Sequence, residues 1–550
     1  MDVNEGWFRR AWPGALTGLL LGLLALGPGL RRGFLLTYDM LFVPREPFSS
    51  ALPGLAPPRA VPSDLVLAVL TRALPADIVQ KAVLLSIFVL ACAGMAVVCE
   101  SQPVLARLAA GVFYAWNPYV AERLIIGHWA LLLGYAGLPW VLRAVTRPDL
   151  ASWRGAARLA LVMVPAVVGG FAAMTVTALV VVPAALLSGS VKRAATALGL
   201  LAAGSLPWLI PSLLHPVYAD PEGVAAFAAR ADTPFGAFGS LLMLGGEWNA
   251  QTVPKGYGGG WSALWLAVAL AALAGFLVLG RARLGWSWAP LGLAAAAGLA
   301  VASIGVTAPG RDLLRAATGF WPGIAVFRDG QQFIAPLALA EAAGLGLVAE
   351  WAMNPDSFGT RKSGTRTSGT RTSGTRTSST RKPGPDLAGA ALGILALLVP
   401  VLLLPGLAWG AAGRLRPAWY PASWLAAARM IDDSRTPGAV LLLPWVADRT
   451  PAWNHGERML DPWSRLVSRQ VIWNEGTTVG SVPLAPDEPA ARRLDRAVTG
   501  GGPLTTVLRA AGVRFVLFDP NGPGPLPSAR LPGAVVLVSQ PGLTVYRLPG

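Results

Sequence analysis

The sequence has little charge for its length. Of its 550 residues only 13% are Asp, Glu, Lys or Arg, while 54% are hydrophobic and the mean hydropathy is +0.52. Soluble domains carry about 25% charged residues, so this chain has too little charge to cover the surface of a soluble globule. The composition therefore predicts a polytopic α-helical membrane protein.

Cysteine and histidine are also scarce. Cys92 and Cys99 lie seven residues apart in one apolar run and are expected to share a helix face as small core residues. The histidines, His128, His215 and His455, are far apart, and the sequence contains no CxxC or HExxH motif. These absences argue against a disulfide framework and a zinc site, and we expect neither a metal nor a cofactor.

Long apolar runs fill most of the chain. A spanning helix needs roughly 20 mostly apolar residues. By that criterion the sequence predicts about eleven spans, of which the fifth and sixth meet at "GGF". The formal net charge of +16 does not indicate nucleic-acid binding, because many basic residues fall in short loops between spans. The predicted spans lie near 12–30, 80–99, 103–116, 129–146, 156–171, 172–189, 194–212, 261–280, 287–305, 332–352 and 387–410.

Basic residues indicate which side of the membrane each loop faces, because cytoplasmic loops are enriched in Lys and Arg. Arg9 and Arg10 precede the first span, which lacks a small-residue cleavage site and so predicts a retained helix with a cytoplasmic amino terminus. Every second later loop is basic. The loop 353–386 contains repeats of Ser-Gly-Thr-Arg-Thr and is predicted to be cytoplasmic and disordered. This tract either attracts anionic lipid headgroups or is an inserted repeat without function.

The chain after the last span is predicted to form a second domain. An inside start and eleven spans place residues 414–550 outside the membrane, after a transmembrane domain of residues 1–413. Helical runs such as "SWLAAARMIDD" alternate with apolar runs such as "AVLLLPW", "VRFVLFD" and "LTVYRL". Alternation followed by closely spaced strands predicts an extracytoplasmic α/β domain.

The first external loop contains a carboxylate close to the membrane. In "LLTYDMLFVPREPF", residues 35–48, Asp39 follows the first span, and Arg45 and Glu46 come later. The next segment, 62–80, has apolar residues at helical spacing, which predicts a short helix along the membrane surface. A carboxylate near an apolar interface has a raised proton affinity and suits a general base. The alternative is that Asp39 caps a helix or pairs with Arg45.

A carboxylate followed by an interfacial helix outside the first span resembles the GT-C glycosyltransferases, multi-spanning enzymes that use polyprenyl-phosphate sugars. The resemblance implies a GT-C-like membrane fold and identifies Asp39 as the catalytic base or the activator of the acceptor hydroxyl. Several branches of the family have paired acids in this loop, whereas Asp39 stands between Tyr38 and Met40. The next acid is Glu46, seven residues on, and we assign it to substrate binding.

The second external loop, "YAWNPYVAERLIIGHW", supplies further candidates. Glu122, Arg123 and His128 lie at the mouth of the next span among aromatic residues, and an outward-facing guanidinium can hold a phosphate through two hydrogen bonds. The aromatic residues are also typical of an interfacial belt. The segment resembles one found in large bacterial GT-C-like proteins, including relatives of the actinobacterial arabinosyl- and mannosyltransferases.

Two later external stretches complete the predicted substrate site. The long loop 215–261 contains Glu247 and Trp248 and is long enough to cover a cavity. Arg328, Asp329 and Gln332 lie at the outer start of the tenth span, in a stretch that again resembles a late external loop of GT-C-like proteins, where a basic residue suits the lipid phosphate. Arg328 and Asp329 are equally consistent with an ion pair at a helix entry.

Two classes of function fit these residues. The first is extracytoplasmic transfer of a sugar from a polyprenyl-phosphate donor to a cell-envelope glycan, lipid or protein. The second is a transporter or flippase of envelope precursors, for which Glu341, an ionisable residue within the tenth predicted span, is the main indication. Polar residues concentrate in the outer loops, which favours the enzyme. A GT-C-shaped assembly scaffold without catalysis is a third alternative.

Overall fold

The structure is a computed structural model and describes residues 3–48, 61–214, 218–354, 387–476, 478–479, 482–519 and 527–550. The basic repeat tract within 353–386 and His215 lie outside the described residues. The predictions for them therefore stay predictions.

Helices dominate the first 413 residues. In chain order they are α1 (Val3–Leu26), α2 (Ser63–Ala73), α3 (Ala76–Val98), α4 (Val104–Ala115), α5 (Pro118–Ile126), α6 (Trp129–Val145), α7 (Trp153–Leu186), α8 (Val191–Leu214), α9 (Gly223–Ala226), α10 (Gly236–Leu242), α11 (Ser262–Leu284), α12 (Trp288–Ile304), α13 (Ala308–Phe320), α14 (Ala335–Met353), α15 (Leu387–Leu403) and α16 (Ala408–Gly413).

Six apolar segments in the described residues are long enough to cross a membrane. A seventh is added if Leu387–Leu403 and Pro405–Gly413, which meet at 62°, form one bent span. The chain is thus a multi-pass membrane protein, but the eleven predicted spans are not confirmed. Two of them fall on helices of 12 and 17 residues, α4 and α6, which are shorter than the roughly 20 residues that a span needs.

The two predicted spans that meet at "GGF" lie in the single helical stretch α7. The stretch is interrupted at Gly170, where φ is 72° and ψ is −146°. This conformation is unfavourable for residues with a Cβ atom, and a Cβ here would also lie 3.0 Å from the carbonyl oxygen of Val61. Glycine at this position therefore permits the break that the sequence indicated.

Helix α14 lies at the centre of the helical part. In the segment Gly330–Met353, which contains this helix, 94% of the most apolar stretch is buried inside the protein. A Cβ on Gly344 would lie 1.8 Å from the carbonyl oxygen of Ala272, so α11 packs against α14 at backbone distance. Glu341 points into this interior and is 1% exposed.

The C-terminal region adds a mixed sheet. Its helices are α17 (Ala422–Asp433), α18 (Trp463–Leu466), α19 (Pro489–Thr499) and α20 (Thr505–Ala510). The strands of the described residues are β1 (Phe34–Leu35), β2 (Pro417–Ala418), β3 (Ala439–Leu443), β4 (Asp448–Arg449), β5 (Met459–Leu460), β6 (Val471–Ile472), β7 (Thr478–Val479), β8 (Val482–Pro483), β9 (Val513–Phe518), β10 (Val535–Gln540) and β11 (Leu543–Arg547). The order in the largest sheet is β10-β11-β9-β3-β6, in which β3 is parallel to β6 and β9, and β11 is antiparallel to β9 and β10. The three apolar runs predicted as strands form β3, β9 and β11.

The C-terminal region packs directly on the first external loop. Strand β1 pairs with β2, and the amide of Leu460 in β5 donates to the carbonyl of Tyr38 at 2.9 Å. One cluster of buried apolar residues runs from the membrane helices through Leu35 to Trp424 and Trp463. The candidate site lies at this junction.

Candidate functional site

The loop that carries Asp39 is fixed from both sides. The amide of Asp39 donates to the carbonyl of Ile126 at 3.0 Å, and the amide of Tyr38 donates to the carbonyl of Arg458 at 2.7 Å. Tyr38 has a φ of 39°, which is unfavourable for a non-glycine residue. Hydrogen bonds to the end of α5 and to the C-terminal region therefore hold the loop in a strained conformation.

Helix α5 positions the next two functional side chains. Asn117 caps its amino end by accepting from the amide of Val120 at 3.0 Å, and Pro118 at the first helical position suits the fixed φ of proline. Gly127, at φ 92°, ends the helix in the left-handed conformation. Arg123 lies in the last turn of this helix, and His128 follows directly after Gly127.

A chain of hydrogen bonds joins Asp39 to the buried arginine. Nε2 of His128 lies 2.8 Å from Oδ2 of Asp39, and Nδ1 of the same ring lies 2.8 Å from Nη1 of Arg123. The side chain of Asp39 is 42% exposed and that of His128 is 22% exposed, whereas that of Arg123 is fully buried. The reachable group of this chain is therefore the Asp39 carboxylate.

Arg123 is the centre of a buried polar cluster. Its Nη1 and Nη2 donate to the two oxygens of Asp329, each at 2.8 Å, and its Nε donates to Oε1 of Gln331 at 2.7 Å. Oε2 of Glu247 forms an ion pair with Nη2 at 3.0 Å. Gln331 in turn donates to Oε2 of Glu122 at 3.2 Å. Three predicted external loops thus meet at one guanidinium.

The acids of this cluster differ in proton affinity. Burial would raise the pKa of Asp329, but the two-point contact with Arg123 keeps that pKa below its usual range. Burial raises the pKa of Glu247 to about 8 against the opposing effect of Arg123, and burial also raises the pKa of Glu122, aided by nearby Asp232. One arginine can neutralise one carboxylate, so the remaining acids favour the protonated form.

The other predicted residues of the late loops lie beside this cluster. Cζ of Arg328 stacks 4.6 Å from the ring centre of Phe227, and its Nη2 lies 3.9 Å from Oδ2 of Asp487. Trp248 packs edge-on against Phe227 at 4.7 Å. The side-chain amide of Gln332 donates to the carbonyl of Val326 at 3.0 Å. Arg328 therefore lies at an aromatic surface, whereas Gln332 supports the turn before α14.

Glu46 lies in a second buried cluster on the C-terminal side. Nη1 of Arg465 donates to the carbonyl of Leu41 at 3.1 Å, and its Nη2 forms an ion pair with Asp64 at 3.1 Å. Burial would lower the pKa of Arg465, but Asp64, Glu46 and Asp39 raise it. Arg465 thus links the helix α2 to the loop that carries Asp39.

The structure brings together most of the site residues predicted from sequence. Asp39, Arg123, His128, Glu247 and Asp329 form one connected network, with Glu122 attached through Gln331. The C-terminal contribution was not predicted. Burial raises the pKa of Asp448 to about 6, with a further contribution from nearby Asp39, and Arg458 and Arg465 also approach the loop. These residues are more than 400 positions from Asp39, and no local pattern indicates such a contact.

The Asp39 carboxylate can accept a proton at the protein surface, while Arg123 and Asp329 hold their charges in fixed positions behind it. Asp39 is partly exposed and receives a hydrogen bond from His128, and the groups behind it are buried and paired. Preorganised charges of this kind favour proton transfer and the stabilisation of developing charge.

Two solved structures of an arabinofuranosyltransferase match this chain with TM-scores above 0.5. The structure of the arabinofuranosyltransferase AftD from Mycobacteria matches with a TM-score of 0.55 and 18% identity, covering 99% of this chain and 40% of that chain. A structure of an AftD mutant matches with a TM-score of 0.54 and 19% identity, covering 99% and 42%. An oligosaccharyltransferase from Archaeoglobus fulgidus, solved with a tethered acceptor peptide, gives a TM-score of 0.40 and 13% identity over 94% of this chain and 70% of that chain.

The match to AftD covers this whole chain but only about two fifths of AftD. No family model and no curated protein matches the sequence. The comparison nevertheless confirms the resemblance inferred from the first external loop. The chain has the fold of the GT-C-type membrane glycosyltransferases.

Proposed function

We propose that the protein transfers a sugar from a polyprenyl-phosphate donor to a cell-envelope glycan, lipid or protein acceptor on the outer side of the membrane. The observation that carries the proposal is the partly exposed Asp39 carboxylate, bonded to His128 at the junction of the outer loops in a GT-C-type fold. Asp39 lies where the sequence resemblance implies the base, and the surrounding groups support that role.

The proposed reaction is an inverting transfer. The acceptor oxygen forms a bond to the anomeric carbon while the bond from that carbon to the phosphate oxygen breaks. The lipid phosphate leaves with the electron pair, and the acceptor proton moves to the carboxylate of Asp39. A positioned base of this kind contributes roughly 10²–10⁴-fold to the rate.

Among the arginines we assign the phosphate contact to Arg328. The guanidinium of Arg123 makes four hydrogen bonds to protein groups and an ion pair with Glu247, and its side chain is fully buried. Its role is therefore to organise the site. The side chain of Arg328 is 21% exposed and rests on the ring of Phe227, so Arg328 is the more accessible of these two arginines.

The test is a pair of substitutions assayed in membranes with a panel of polyprenyl-phosphate sugars. Asp39→Asn keeps the size of the side chain but removes the base, so turnover should fall by about 10²–10⁴-fold with normal insertion. Arg328→Ala should mainly raise the donor KM, because it removes a charge-assisted phosphate contact. Asp312→Asn and Arg315→Ala, which break an exposed ion pair on α13, are the matched controls. Unchanged transfer by Asp39→Asn would reject the catalytic assignment.

The transporter alternative rests on Glu341. This residue is 1% exposed within α14, and neither of its carboxylate oxygens has a hydrogen-bond partner in the described part of the chain. An unsatisfied acid inside a membrane bundle is costly and often marks a solute or proton path. If Glu341→Gln abolished lipid-linked sugar translocation in proteoliposomes while Asp39→Asn had no effect on transfer, the transporter would be preferred.

A further inference from the structure

His128 lies between the partly exposed Asp39 and the buried Arg123, and each of its two ring nitrogens contacts one of these residues. Nδ1 faces Nη1 of Arg123 at 2.8 Å, and Nε2 faces Oδ2 of Asp39 at 2.8 Å. A guanidinium has donors and no acceptor, so Nδ1 must accept the hydrogen bond. The proton of the neutral imidazole is thereby assigned to Nε2, from which it is donated to Asp39.

The arginine that sets this tautomer is itself fixed. Both of its terminal nitrogens bond to Asp329, its Nε bonds to Gln331, and the side chain is fully buried. The backbone amide of His128 also donates to the carbonyl of Arg123 at 2.8 Å. Neither the ring nor the guanidinium can move without breaking several of these contacts.

We propose that His128 is a positioning residue that holds the Asp39 carboxylate in its reactive orientation, and that Arg123 enforces this by fixing the Nε2–H tautomer. This inference rests on the proposed function, because it takes Asp39 as the reacting base. The imidazole acts as a fixed donor and not as the base itself, since Nδ1 is occupied by Arg123. The arrangement follows the general rule that the bond made by one ring nitrogen determines the role of the other.

The kinetic test compares three substitutions. His128→Leu removes the donor to Asp39, so kcat should fall about 10- to 100-fold, as expected for loss of a hydrogen bond to a charged group, while the donor KM changes little. His128→Gln keeps an N–H for Asp39, so it should recover most of kcat. His455→Gln is the control, because the ring of His455 lies against the carbonyl of Pro417 at 3.0 Å and is not part of the chain from Asp39 through His128 to Arg123.

Two outcomes separate this inference from the proposed function. If Asp39→Asn is inactive while His128→Leu keeps the wild-type kcat, the positioning role is rejected and the proposed function stands. If both variants keep full transfer activity, the proposed function fails, and the positioning role fails with it.

A spectroscopic test needs no substrate and applies even if His128→Leu fails to fold. The chain has three histidines, so the full-length protein labelled with ¹⁵N-histidine gives three sets of ring signals. Substitution of His215 and His455 by Gln assigns the signals of His128. We expect the Nε2-protonated tautomer for His128. An Nδ1-protonated ring would overturn the inference.

Discussion

At the residue scale, Arg123 determines which acids of the buried cluster are balanced by a positive charge. It is fully buried and balances Asp329 through two short hydrogen bonds, while Glu247 lies 3.0 Å away on the same guanidinium. A buried pair of this type is costly to assemble, and the two-point contact with Asp329 fixes the position of the guanidinium. The cluster therefore acts as a rigid base for the outward-facing His128 and Asp39.

Glu247 gives the cluster a pH dependence. Its pKa is raised from 4.5 to about 8 by burial, so the folded state binds a proton more tightly than the unfolded state does. The stability that this proton contributes is complete below pH 4.5 and is lost as the pH rises towards about 8. One pKa unit corresponds to about 1.4 kcal/mol, so the loss amounts to a few kcal/mol.

Glu247→Gln keeps the shape and removes the titration. We expect the apparent melting temperature of the purified protein to fall between about pH 5 and 8 for the wild type and to fall less for the variant. Glu222→Gln, at an exposed position of the same external region, is the control. Parallel curves for the wild type and Glu247→Gln would show that Glu247 does not titrate in this range.

At the scale of elements, α5 and the first external loop form one unit. Gly127 ends α5 at φ 92°, and a Cβ at this position would lie 2.2 Å from the amide nitrogen of Met40. The residue is therefore constrained twice, by its left-handed backbone and by contact with the loop that carries Asp39. The short helix and the loop cannot be displaced independently.

Gly127→Ala tests this coupling. The backbone term alone costs about 1 kcal/mol, and the contact with Met40 should add to it, so the protein should melt at a lower temperature and lose activity as Asp39 moves. Gly189→Ala is the matched control, because Gly189 has φ +63° but no atom within 4 Å of its added Cβ. Equal melting temperatures for Gly127→Ala and Gly189→Ala would mean that the loop carrying Asp39 accommodates the added Cβ atom without loss of stability.

The helix predicted after the first external loop is also present. Helix α2 buries Asp64 and Leu67 and leaves Leu65 and Val69 at 43% and 56% exposure. Asp64 contacts Arg465 of the C-terminal region, whereas Leu65 and Val69 face outward. Exposed apolar side chains of this kind suit a helix that lies on a membrane surface, which remains our prediction for it.

At the scale of the whole molecule, the C-terminal region packs on the loop that carries Asp39, through β2 and β5. We propose that residues 414–550 form an extracytoplasmic unit. The apolar core continues across the predicted boundary at residue 413, so this region and the helical part share one core.

The orientation can be measured by cysteine labelling in intact cells. The native Cys92 and Cys99 are buried, so background labelling should be low. Ser528→Cys, exposed in the C-terminal region, should react with a membrane-impermeant thiol reagent, and Ser373→Cys in the repeat tract should react only after permeabilisation. Labelling of Ser373→Cys from outside would reverse the orientation and place Asp39 in the cytoplasm.

The sequence alone determined the class of the molecule and many of its elements. Low charge and long apolar runs specify a membrane bundle, because a lipid-facing surface tolerates few charges. Short continuous apolar runs bounded by turn residues indicated the strands β3 and β9. Asp39, Arg123 and Asp329 were recognisable because polar groups beside apolar spans are few, and each belongs to a local pattern.

Only the tertiary structure decided what these residues do to one another. The eleven predicted spans are not confirmed, because buried helices such as α4 are apolar without being long enough to cross a membrane. Arg123 was predicted to hold a phosphate, and its bonds to Asp329 and Gln331 join loops about 200 residues apart. Pairings over such distances leave no local signal, since burial and partner geometry are set by packing of the whole chain.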